Sequence, residues 1–126
     1  MATENMNKLY LDKDEQIIWQ DYRKIFGITF PFTKFTLTNK KIYIEKGILR
    51  YNLNEIQLIR VQDVLLQQGF IEKLLGIGSI VVKSSDRSGE VVRLGSISKP
   101  YRRKHQVTEA AEKEKVRRGV TSNQFI

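Results

Sequence analysis

From Gln16 to Leu94 the chain is a succession of short runs in which apolar and polar residues alternate, broken by turn residues at intervals of roughly 8–12 positions. Side chains that return to one face every second residue belong to strands, and strands this short bury a face only by packing against others. Ile17-Ile-Trp-Gln-Asp-Tyr-Arg23 places Ile17, Trp19 and, less cleanly, Asp21 on one face, with Ile18 and Tyr22 on the other. In Lys41–Gly47, Ile42 and Ile44 share a face. Gly47, free to take positive φ, then turns the chain into a hairpin whose Leu49, Tyr51 and Leu53 alternate with Ile48, Arg50 and Asn52. Ile56 to Leu66 reads as two short strands around a bend, and a turn at Asp86-Arg-Ser-Gly89 separates two Val-rich strands. About seven such strands predict a mainly β fold, a barrel or a pair of packed antiparallel sheets with few open edges.

Beyond Ser98-Lys-Pro100 the character changes. Pro100 suits the first turn of a helix, and residues 101–118 are rich in Glu, Lys, Ala and Arg, so one C-terminal α-helix is expected. Its apolar stripe, Tyr101, Val107, Ala110 and Ala111, is narrow, which predicts a short or weakly held helix. Glu109 with Lys113 and Glu114 with Arg118 stand in the favourable acid-first i,i+4 order. The resulting division is a polar lead-in over residues 1–15, a domain over 16–118, and a flexible tail over 119–126. Asp12, Asp14 and Glu15 read as part of a solvated lead-in.

Four segments occur in a telling order: Leu37-Thr-Asn-Lys-Lys-Ile42, Gly47-Ile-Leu49, Ile59-Arg-Val-Gln-Asp-Val64 and Leu74-Leu-Gly-Ile-Gly78, followed by a Val-rich strand. Over about half the chain this resembles the small bacterial PH-like domains. The resemblance implies a PH-like barrel of about seven antiparallel strands with one C-terminal helix, and a non-enzymatic binding module working at or near the inner face of the bacterial membrane. It also implies that the helix plugs the barrel, an expectation the narrow apolar stripe does not match.

Catalytic chemistry is hard to assemble. The single histidine, His105, has no cysteine or second histidine near it, so a metal site lacks its usual ligands. Gly76-Ile-Gly78 lacks the third glycine and the following helix of a dinucleotide site, and a strand follows instead, so its role is a tight bend. No catalytic residue, metal or cofactor is assigned, and no small-molecule substrate is implied. The first residues lack the basic start and apolar run of a secretory signal, which points to a cytoplasmic location with peripheral contact at the inner membrane face.

The net charge of +8 favours anionic partners. Residues 99–118 contribute eight cations against three acids, but Arg102, Arg103 and Lys104 point in three directions around a helix, so no coherent groove-reading face for nucleic acid results. Arg23-Lys-Ile-Phe-Gly-Ile-Thr-Phe-Pro-Phe-Thr-Lys34 is more unusual, with three aromatics bracketed by cations. Arg23, Lys24, Phe26, Phe30, Phe32 and Lys34 are candidate membrane or partner contacts. The same alternation, Phe26, Ile28, Phe30 and Phe32, also reads as a strand facing the core or an oligomer interface, with Pro31 at an edge or bulge. Lys40, Lys41, Arg50 and Arg60 are candidate anion contacts. Two functions remain: weak lipid or membrane-protein contact, and a soluble protein-interaction or homo-oligomer scaffold that binds no lipid.

Overall fold

The computed structural model describes residues 11–25, 28–85 and 91–119. Phe26, the Asp86–Gly89 turn, and most of the lead-in and tail lie outside the described residues. Seven antiparallel strands form two sheets: β1 (Ile17–Ile25), β2 (Ile28–Thr38), β3 (Lys41–Gly47) and β4 (Tyr51–Gln57) in one, and β5 (Val61–Gln67), β6 (Ile77–Ser84) and β7 (Val91–Ser98) in the other. A 3-10 turn, Leu58–Arg60, joins the sheets. A short helix α1 (Phe70–Leu75) lies between β5 and β6, and α2 (Pro100–Arg117) closes the chain order.

The two sheets do not close into a barrel. Where β1 and β7 approach, a side chain replaces the ladder: Asp21 Oδ2 accepts hydrogen bonds from the backbone N–H of Ser98 (3.1 Å) and from its hydroxyl (2.7 Å). The core lies between the sheets and under α2, with Phe35, Leu37, Ile42, Ile44, Ile80, Val82, Leu94 and Ile97 buried. Each such side chain stabilises the fold by about 1.5–3 kcal/mol when fully buried.

Three local readings need correction. Ile17 and Trp19 do not share the core, because a register shift between them leaves Ile17 exposed while Trp19 is buried. Gly47 does not adopt positive φ; a Cβ there would lie 3.1 Å from the Arg50 carbonyl oxygen and 3.2 Å from the Tyr51 Cα, so close approach explains the residue. The helix α2 is 18 residues long rather than short. Its stripe succeeds because small residues let it sit close: Val107, Ala110 and Ala111 are buried against β5, β6 and the 3-10 turn, while Tyr101 is exposed. Arg103 anchors its first turn, donating to the Ser98 carbonyl (3.0 Å) and stacking over Trp19 at 4.8 Å.

The bend at Gly76 and Gly78 uses two properties of glycine. Gly76 caps α1 in the left-handed conformation at φ 72°, and a Cβ on Gly78 would meet Pro100 at 2.9 Å.

Candidate functional site

The paired Ile25 and Ile28 ends of β1 and β2 lie at the same end of the four-stranded sheet as the β3–β4 turn, since four antiparallel strands in sequential order place alternate connections together. The phase of β2 determines what that end displays. Its core residues Phe35 and Leu37 are odd-numbered, whereas Ile28, Phe30 and Phe32 are even-numbered. Pairing jumps from Tyr22↔Lys34 to Arg23↔Phe30, so Pro31, Phe32 and Thr33 form a bulge. The aromatic segment is thus a strand, as its alternation implies, but it runs past the core. Ile28 is 73% exposed, Phe32 is 44% exposed, and Phe30 is half-buried with its ring edge-on to Phe32 at 5.5 Å.

The β3–β4 turn adds apolar surface that sequence reasoning assigned only to a hairpin. Ile48 is exposed and Leu49 is fully exposed at 100%. The signal was present in the run Gly47-Ile-Leu-Arg50, where two large apolar residues occupy a turn that has no core to face.

Cations border this end, in differing states. Lys24 is engaged by Asp21 Oδ1 and the Tyr22 carbonyl, both at 2.7 Å. Lys34 Nζ stands 3.9 Å from Glu45 Oε1. Arg23, Lys46 and Arg50 are exposed. Arg50 therefore joins the aromatic segment rather than Lys40 and Lys41, which sit at the opposite end of β3, about 20 Å away at strand spacing. Lys40 is bound to Asp14 (2.6 Å) and Asp12 (3.3 Å), and Lys41 to Glu55 (3.1 Å). Arg60 lies in the 3-10 turn. These four cations do not form one face.

On the side of the sheet away from the core, the register aligns Tyr22, Lys34, Glu45 and Leu53 in one cross-strand row. Glu45 is 5% exposed, and its Oε2 accepts a hydrogen bond from the Tyr51 hydroxyl at 2.9 Å. Burial, and then this bond, push Tyr51 up to about 12. Beside Glu45 lies a cavity of about 90 Å³ bounded by Phe32, Lys34, Lys46 and Tyr51.

Two further carboxylates with partners inside the fold, buried Glu15 and half-buried Asp21, escaped sequence reasoning. Glu15 is not a solvated lead-in residue: its Oε2 accepts from Thr38 (2.6 Å) and Tyr43 (2.7 Å). Burial, and then Glu15, raise the Tyr43 hydroxyl well above its ordinary range. At Asp21, burial opposes ionisation but the bonds from Lys24 and Ser98 outweigh it, so the carboxyl lies below its usual value. Both carboxylates hold elements together. Among the described residues, no group of His, Cys, Asp and Glu could hold a metal, and no helix is long and apolar enough to cross a membrane.

No curated protein matches the sequence at a significant level. The family model for the bacterial PH domain matches residues 21–118, a span that runs from the middle of β1 to the end of α2. With seven antiparallel strands in two sheets and a C-terminal helix over that same span, the chain belongs to the bacterial PH domain family.

Proposed function

We propose that this domain is a peripheral membrane-binding module that inserts the shared end of its β1–β2 and β3–β4 hairpins shallowly into an anionic surface. PH-type domains are generally non-enzymatic binding modules that engage lipid or protein. The observation that supports lipid here is the pairing of exposed Ile25, Ile28, Phe32, Ile48 and Leu49 with the cations Arg23, Lys46 and Arg50 at one end. Each inserted apolar side chain contributes at most about 1.5–3 kcal/mol, and each cation about 1 kcal/mol near an anionic leaflet. Incomplete insertion and side-chain ordering lower the sum, so binding is weak and reversible.

Co-sedimentation with anionic vesicles tests this reading. Phe32→Asp combined with Leu49→Asp changes two exposed positions and is expected to abolish pelleting while leaving the circular dichroism spectrum intact. Absence of pelleting by the wild type defeats the proposal.

A protein partner is the second reading, favoured by α1, whose Phe70, Ile71 and Leu74 are all exposed. Loss of a protein complex on Ile71→Asp, with vesicle binding retained, would assign that contact to α1.

A further inference from the structure

The cavity beside Glu45 contains an unmet demand. Glu45 Oε1 is buried and receives no hydrogen bond, and Lys34 at 3.9 Å is too distant to supply one. Buried carboxylate oxygens are ordinarily satisfied, and Glu45 lines the cavity, so Oε1 marks a position for a donor brought by a ligand that draws the Lys34 side chain away from it. The walls narrow the choice. Tyr22, Phe32 and Tyr51 present aromatic surface, which attracts a cationic nitrogen, while Lys34 and Lys46 present positive charge at the same cavity. A lone cation is repelled by the two lysines, and a lone anion brings no donor to Glu45 Oε1. A molecule carrying both charges replaces one long Glu45–Lys34 contact with two short ones.

We infer that this cavity binds the zwitterionic head group of a primary amino-alcohol phosphate, with its ammonium donating to Glu45 Oε1 and its phosphate on Lys34 and Lys46. A single water needs roughly 10–15 Å³ of such space, so about 90 Å³ accommodates a head group of several heavy atoms. The ammonium has to carry an N–H, which a primary ammonium supplies threefold and a trimethylated nitrogen lacks. As a lipid site this rests on the membrane reading above; as a site for the free zwitterion it does not.

The test compares vesicles holding a constant fraction of phosphatidylglycerol with either phosphatidylethanolamine or phosphatidylcholine, alongside an NMR titration with soluble phosphoethanolamine. Wild type is expected to bind the ethanolamine vesicles about tenfold more tightly, the worth of one charge-assisted hydrogen bond. Glu45→Gln, which keeps the side-chain shape and an acceptor for Tyr51, brings the ratio to about one. Equal wild-type binding to both vesicles, with no shift of the Tyr22, Glu45 or Tyr51 resonances by phosphoethanolamine, overturns the inference while leaving the membrane reading standing. Resonance shifts without vesicle binding sink the membrane reading and retain the site for the free zwitterion. The wild-type comparison alone decides the matter if Glu45→Gln does not fold.

Discussion

The two ends of the four-stranded sheet are built on opposite principles. At the Thr38–Lys41 end, polar groups find partners inside the chain: the Thr38 and Tyr43 hydroxyls donate to Glu15, Asn39 Oδ1 accepts from the Gln16 N–H at 2.7 Å, and Lys40 holds Asp12 and Asp14. At the hairpin-tip end, among the described residues, Ile28, Phe32, Ile48 and Leu49 are exposed, and the buried carboxylate of Glu45 is only half satisfied. The same sheet is therefore finished at one end and left incomplete at the other. Polar satisfaction marks the structural end, and exposed apolar surface with an unmet buried acceptor marks the end available to a partner.

The sharpest way to break this contrast is Glu15→Ala. It leaves the buried Tyr43 hydroxyl without its acceptor, while Thr38 keeps its bonds to Lys40 and Lys41, and a loss of about 2–3 kcal/mol in urea denaturation is expected. Stability equal to wild type would mean that the sealed end contributes nothing to holding the lead-in on the sheet. Next in size is Asp21→Asn, which weakens the bonds that join β1 to β7 and costs about 1–2 kcal/mol at neutral pH. Because the folded Asp21 carboxyl ionises below its unfolded value, its contribution is present above about pH 4 and disappears as the pH falls through the folded value. Denaturation midpoints of wild type and Asp21→Asn should therefore converge in acid; a gap that persists at pH 2 would assign the effect to packing. Smallest is Lys40→Ala. Its partners Asp12 and Asp14 are solvent-exposed although the Lys40 side chain is largely covered, so only a small drop in the thermal midpoint is expected at physiological salt, and a drop as large as that of Asp21→Asn would show that the outer charges reinforce Glu15.

Much of the architecture was legible from alternation and turn chemistry. Ile42 and Ile44 face the core, the Gly76-Ile-Gly78 bend follows α1, and Pro100 opens α2. Lys113 reaches Glu109 at 3.8 Å, as its spacing suggests, although Glu114 bonds chiefly to Arg117, at 2.7 Å, and meets Arg118 only at 3.9 Å. The fate of Phe30 and Phe32 was half legible: their even-numbered phase conflicts with the odd-numbered core pair Phe35 and Leu37, and a bulge at Pro31 is what reconciles them. Glu15, Asp21 and Glu45 were not legible, because their partners lie 23, 77 and 6 residues away and no local pattern announces such a bond.

By itself the sequence determined the local periods: which runs become strands, where turns break them, and that a helix follows Pro100. Those choices depend on steric preference and burial within a few residues. Tertiary structure alone decided that Arg50, Ile48 and Leu49 share an end with Phe32, that Lys40 and Lys41 do not, and that a carboxylate lies buried in the row between Lys34 and Leu53. Such groupings depend on register and on which strand edges meet, and those are settled by the packing of the whole sheet.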